Sequence, residues 1–268
     1  MGSNIQQSPE PNSIQDSQLP DTEIRTTPSA KRQKTEHQTH PKTTEASPVN
    51  QPSTMSDSPI LETLQLEHVP GTHSVHIAVF RDVENAAFLH QQLLARNADF
   101  EYAFIDASVI TSRLQVLSAA FKAITLQLAG NMKTPNVHSE LVYSLSPTSN
   151  ISEAYRRYGI TPTSRALVIV KVLVTPPVPS STTAAPETTS EAKPPLTAQD
   201  VEKHLLTHVQ GKSVPFTDQV LSELTDWGRV RKYYKLNGIG WLDGIKDQAA
   251  KNRETGKLAM GGMALRGV

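Results

Sequence analysis

The chain has 268 residues, with 26 basic and 26 acidic side chains, 19 prolines and no cysteine. The missing cysteines exclude disulfides, thiolate metal sites and a cysteine nucleophile. No apolar run approaches the length of a membrane span and the first residues have no apolar signal-peptide core, so the chain reads as soluble and unanchored.

No aromatic residue precedes Phe80, and a second aromatic-free stretch runs from Tyr158 to Phe216. A segment without large apolar side chains cannot offset the entropy of its own ordering. Residues 1–58, rich in Ser, Thr, Pro and Gln, are therefore predicted to be a disordered tail. Within it Lys31, Arg32 and Lys34 form a short basic cluster of the kind read by the nuclear import machinery, and Met55 is a second possible start.

The predicted core opens with two apolar runs, Leu61 to Leu66 and Val75 to Phe80, read as an antiparallel pair turning at Pro70-Gly71-Thr72. A helix is expected from Asp82, as its cap, to Ala95. A longer one runs from Ser112 to Ala129, stopped by Gly130. Ile110, Leu114, Leu117, Phe121, Ile124 and Leu128 fall on one stripe of it. That stripe is read as packing into the domain's own core, with a partner-binding seam as the alternative. Val137 to Leu145 alternates as a strand does. Asn150 and Glu153 have the spacing of a capping box for a short helix that Gly159 stops in a left-handed conformation. Ala166 to Val174, nearly all apolar and β-branched, reads as a strand buried on both faces.

Residues 175–195 are a Pro/Thr-rich spacer, predicted to be a disordered insertion. Helical patterns resume at Ala198 to Val209, Phe216 to Trp227 and Trp241 to Ala250. The expected fold is a single α+β domain made of residues 59–174 and 196–252, a small mixed or mostly antiparallel sheet covered by helices. Residues 253–268 read as a basic, Gly-rich tail.

Tests for catalysis fail. His204 and His208 have chelating spacing, but Leu205 stands where a zinc protease needs its glutamate and no third ligand is evident. Gly238-Ile239-Gly240 with Gly244 lacks the strand–loop–helix setting of a dinucleotide loop. No Walker, nucleophile-elbow or kinase signature occurs. The chain reads as non-catalytic, with no cofactor or metal. From Arg229 onward nine basic residues face three acidic ones, which reads either as a footprint for RNA or as a solvated surface.

Phe80-Arg81-Asp82-Val83-Glu84-Asn85-Ala86 and Leu145-Ser146-Pro147-Thr148-Ser149-Asn150-Ile151-Ser152-Glu153-Ala154 carry a family resemblance. Lys133-Thr134, Glu140, Gly159-Ile160 and Lys232-Tyr233-Tyr234-Lys235-Leu236 extend it. These segments resemble the PRPK-binding proteins, the TPRKB family, which are kinase-binding subunits of the EKC/KEOPS complex. The resemblance implies a non-catalytic α/β-type domain that binds the atypical kinase and, through it, the threonylcarbamoyl-transfer subunit. It also implies a role in binding tRNA for threonylcarbamoyl-adenosine modification next to the anticodon, links to telomere maintenance and transcription, and residence in nucleus and cytoplasm. A free-standing RNA-binding protein is the alternative. Trp227, Trp241, Leu242 and Ile245 are the candidate kinase contacts, large apolar groups near the chain end that equally serve to cap the core. Lys133, Arg156, Arg157, Arg229, Arg231, Lys232 and Lys235 are candidate phosphate contacts, and Tyr234 a candidate base-stacking ring.

Overall fold

The computed structural model describes residues 60–175 and 195–266. The expected tail with Lys31, Arg32, Lys34 and Met55 lies outside them, as does all of the spacer except its end residues. Two nine-residue strands, β2 (His73–Arg81) and β4 (Ala166–Val174), form the centre of an antiparallel sheet, paired over their whole length from His73↔Val174 to Arg81↔Ala166. Continuous Val/Ile/Leu runs suit both, because each is covered on two sides. β3 (Ala103–Asp106) extends the sheet beyond β4. The opposite edge is shared end to end by two short strands. β1 (Glu62–Leu64) pairs with Val75–Ile77 and β5 (Lys212–Val214) with Val79–Arg81.

Alternate strand residues feed two cores. Ala78, Phe80, Phe104, Leu167 and Ile169 pack on one face against α1 (Ala86–Leu94) and α5 (Ala198–His208). Val75, Ile77, Val79, Ile105, Val168 and Val170 meet the remaining helices on the other. These are α2 (Arg113–Leu128), α3 (Val137–Ser144), α4 (Ile151–Tyr158), α6 (Asp218–Leu224), α7 (Trp227–Tyr233), α8 (Gly240–Asp243) and α9 (Gln248–Ala264). The α+β architecture with a mostly antiparallel sheet is as predicted.

Several elements differ from expectation. The run Val137 to Leu145 is helix α3, not a strand. Val137, Leu141 and Leu145 recur every four residues as well as alternating, and Asn136 decides the matter by accepting from the Ser139 amide as N-cap. α1 begins four residues after Asp82, which sits at φ +55°. The intervening amides are already used: Val83 donates to Arg165 O and Glu84 to Gln210 O, while the Asn85 side chain bridges His208 O and the Gln210 amide. Strand β3 was not anticipated. Asn150 caps α4 through the Glu153 amide, but the Glu153 carboxylate turns to Arg156 and Arg157 instead of closing a capping box. Gly159 has φ −74°, so no left-handed stop is needed there. A glycine is required for space, since a Cβ would lie 2.6 Å from Tyr155 O. Gly130, at φ +65°, is the left-handed residue that ends α2. Finally, residues 253–264 belong to α9 and not to a tail: Thr255, Ala259 and Met263 are buried every four residues.

Candidate partner-binding and nucleic-acid interface

α2 presents two apolar faces. The inner one is made of Val116, Ala119, Ala120, Ala123 and Ile124, all fully buried. Small residues there let the helix approach its neighbours closely, so the larger side chains are left outside. Of the predicted core stripe, only Ile110 and Ile124 are buried. Leu114, Phe121 and Leu128 are 61%, 39% and 50% exposed, and Leu117 is half-buried. Lys122 Nζ donates to the Arg266 carbonyl at 3.1 Å, which sets the end of α9 beside the middle of α2. Leu265 there is 70% exposed. Apolar groups so grouped on one helix face, exposed among the described residues, are a candidate contact surface.

The four residues proposed from sequence as kinase contacts differ in exposure. Leu242 is fully buried, Trp227 and Ile245 are half-buried, and Trp241 is 57% exposed. Leu242 is therefore corrected to a core residue. α8 is a single turn and lays Leu242 into the cluster with Val230 and Ala259, which turns Trp241 outward.

The cations from α4 and α7 do converge, around Tyr233. The Arg157 guanidinium lies 5.0 Å and that of Arg229 5.6 Å from the Tyr233 ring centroid. Arg157 Nη1 donates to Tyr233 O at 3.2 Å and Arg229 Nη2 to the Tyr233 hydroxyl at 3.3 Å. Arg229 Nη1 also donates to Ser108 Oγ at 2.6 Å, beside the buried Asp106 carboxylate. Both guanidiniums are thus held in place, and Arg157 is further paired with Glu153. Arg156, 74% exposed by side chain, and the exposed Lys232 and Lys235 extend this ridge. Arg231 is tied to Asp243 of α8. Lys133 stands apart, exposed on the loop between α2 and α3.

Tyr234 is corrected from a stacking ring to a buried hydrogen-bonding residue. Its hydroxyl donates to Leu145 O at 2.7 Å and accepts from Gln115 Nε2 at 2.8 Å. Burial pushes its phenol well above the ordinary range. Tyr233, one residue earlier and half-buried, is the ring among the arginines, and sequence reasoning missed it. The available signal was Val230, whose position four residues before Tyr234 puts that tyrosine on the inner face of α7.

Glu140 and His138 of α3 are internal polar anchors. Glu140 is fully buried, and its Oε2 accepts from the Lys133 and Thr134 amides and from Thr134 Oγ1 at 3.0, 2.9 and 2.7 Å. The carboxylate thereby fixes the loop that carries Lys133. His138 Nε2 accepts from the Val172 amide of β4 at 3.1 Å. Burial holds its pKa below the ordinary value, against the pull of the Glu101 carboxylate 3.8 Å from Nδ1. In the unfolded chain this ring takes a proton near pH 6.5, while the folded one takes it only at lower pH. Stability is therefore expected to fall as pH drops below about 6.5, because the unfolded chain binds the proton first. Thermal melts between pH 7 and 5 test this: His138→Gln should flatten the slope, leaving the share of His76 and His204, whose pKa values burial also lowers. His204 accordingly serves in packing, with Nδ1 3.0 Å from the Tyr102 hydroxyl and both His204 and His208 rings against Phe100.

Comparison with known proteins identifies the family of the chain. The family model described as kinase binding protein CGI-121 matches residues 80–267. The chain is 54% identical over 208 residues to the EKC/KEOPS complex subunit CGI121 of Gibberella zeae, covering 78% of this chain and 99% of that relative. It is 49% identical to the Neurospora crassa subunit over the same shares, and 44% identical to that of Aspergillus fumigatus, covering 77% and 97%. With a matching family model over most of the domain and relatives spanned nearly end to end, the chain belongs to the CGI-121 family of kinase-binding proteins.

Proposed function

We propose that this chain is the kinase-binding subunit of an EKC/KEOPS complex, that it seats the kinase on the α2–α9 apolar face, and that its α4–α7 ridge contacts tRNA. The observation that carries the docking face is the outward row Leu114, Phe121 and Leu128, three large apolar groups exposed among the described residues, with the half-buried Leu117 between them. Trp241 is an isolated exposed ring by comparison. The tRNA would be presented for threonylcarbamoyl-adenosine formation by a partner subunit, with this chain supplying surface and no chemistry. Telomere and transcription roles belong to the same proposal and rest on the resemblance alone, while residence in nucleus and cytoplasm is supported also by the basic cluster Lys31, Arg32 and Lys34.

The ridge reading rests on two guanidiniums fixed around one tyrosine, with further unburied cations alongside. Charge reversal at Arg156, Lys232 and Lys235 tests it, since all three side chains reach solvent. The triple Glu variant is expected to bind tRNA at least about tenfold more weakly near 100 mM salt, with a shallower dependence of affinity on salt. Capture of the kinase should be unchanged. Equal tRNA affinity and an equal salt slope would overturn the ridge as the RNA surface and leave kinase docking standing.

A further inference from the structure

A cavity of about 470 Å³ lies at the end of the sheet where β2 and β3 finish and β4 begins. α6 and α7 flank it through Glu223, Leu224 and Arg229. Its size is within the usual range of small-ligand sites. The floor is fixed and already satisfied. The buried Asp106 carboxylate accepts from the Ser108 amide and hydroxyl at 3.0 and 2.6 Å, and from Ser164 Oγ at 3.1 Å. Arg229 Nη1 lies 3.5 Å from its Oδ2. With its lone pairs so engaged, Asp106 holds the shape of the cavity and has little left to offer a ligand.

The unspent groups are on the walls. The Val83 amide donates to Arg165 O at 2.8 Å and Arg81 pairs with Ala166, so the Arg81–Asp82 turn is stapled to Arg165. Asp82 sits in that turn at φ +55°, a left-handed conformation that costs a residue with a Cβ some backbone strain. Arg165 is exposed, and its guanidinium has no hydrogen bond or ion pair among the described residues. Arg81 is engaged through Nε with Asp82 Oδ2 at 3.3 Å, which leaves its Nη groups to donate. Glu223, exposed on α6, is held only by a long 3.4 Å hydrogen bond from Gln219 Nε2. The charges of the lining balance, with Arg81, Arg165 and Arg229 set against Asp82, Asp106 and Glu223.

We propose that this cavity binds a free α-amino acid as its zwitterion, with the carboxylate at Arg165 and Arg81 and the ammonium at Glu223 and Asp82. A carboxylate matches the planar fork of a guanidinium, and an ammonium is a compact donor for two carboxylates. A phosphate would meet the same arginines but also the repulsion of Asp82 and Glu223. An apolar ligand would strip water from charges of both signs and pair neither. Thr163, Ala166 and Leu224 remain for contact with the amino acid's side chain. Arg229 is shared with the α4–α7 ridge, where Tyr233 holds it, so the test leaves it in place. The inference is independent of the kinase and tRNA surfaces proposed above.

The test uses the full chain and the standard free L-amino acids, screened by thermal shift and measured by calorimetry. At least one is expected to bind with a Kd at or below about 1 mM. Its N-acetyl and its carboxamide derivatives, each lacking one of the two charges, should bind at least about tenfold more weakly. Arg165→Ala and Glu223→Ala, both at exposed positions, should each weaken binding by about tenfold or more. A thermal melt without ligand shows whether each variant is folded. Chemical-shift changes in the unaltered chain give a second readout that needs no variant, and are expected at Thr163, Ser164 and Arg165. Binding by none of the amino acids overturns the proposal. Equal binding of the N-acetyl derivative also overturns it, since the site would then take any small carboxylate. So does binding that both folded variants leave intact, or shifts confined to other parts of the domain.

Discussion

Replacing Leu117 and Phe121 by Asp is expected to abolish capture of the kinase while leaving the domain folded. Phe121 is partly solvent-exposed already, while Leu117 is half-covered and packs against the core, so the pair is expected to cost some stability, read by a thermal melt, without unfolding the free domain. In a complex the same two positions are adjacent turns of one helix face, and both carboxylates would be buried without partners. A central contact of this kind is worth about 2 kcal/mol or more when lost, and a factor of ten in affinity corresponds to about 1.4 kcal/mol. The pair should therefore weaken binding by about three orders of magnitude. Co-expression pull-down gives the qualitative answer and calorimetry the quantity, with Trp241→Ala as the comparison. Retention of kinase by the Asp variant, together with its loss on Trp241→Ala, would move docking to the α8 surface.

The largest expected effect on stability is at Glu140. Glu140→Ala removes the acceptor of three donors at once: the Lys133 amide, the Thr134 amide and the Thr134 hydroxyl. Each buried donor left unpaired costs about 1–3 kcal/mol, partly relieved here because the loop borders solvent. A net loss of about 3 kcal/mol is expected, which lowers Tm by about 10 °C for a domain of this size. Glu140→Gln retains a carbonyl oxygen that can accept, and should lose far less. Both are read by thermal or denaturant unfolding. If the two variants lost the same amount, the negative charge and not the hydrogen-bonded geometry would be what holds the loop.

How far these surfaces were legible depends on the kind of residue involved. The buried strands were read from unbroken apolar runs, since only a sheet covered on both sides tolerates Leu167 to Val172 with little polar relief. α3 was misread because its apolar residues satisfy periods of two and of four together, and only the cap at Asn136 separates the two. β3 escaped notice because four residues are too few to show a period. The apolar stripe of α2 was legible, but it was read first as core, and most of it is exposed. Large residues look like core, yet in α2 the alanines are inside, because packing distance and not hydrophobicity chose the inner face. The ridge was recognised from α4 and α7 as charges, but the tyrosine at its centre was off by one. Neighbouring tyrosines on a helix point about 100° apart, and the choice between them lies in what the rest of the chain packs against.

β2 has a further property that follows from its two half-length neighbours. Its outer edge is closed by β1 over Val75–Ile77 and by β5 over Val79–Arg81, so no long row of unpaired backbone groups is offered to another molecule. The two covers come from regions about 150 residues apart, and neither protects the other's half. A chain begun at Met55 keeps β1 and with it a sealed edge. One begun beyond Leu64 would leave Val75–Ile77 bare, a β-branched template for sheet-to-sheet association. Self-association on truncation would then arise from the loss of one three-residue strand, alongside the loss of Leu61 from one core.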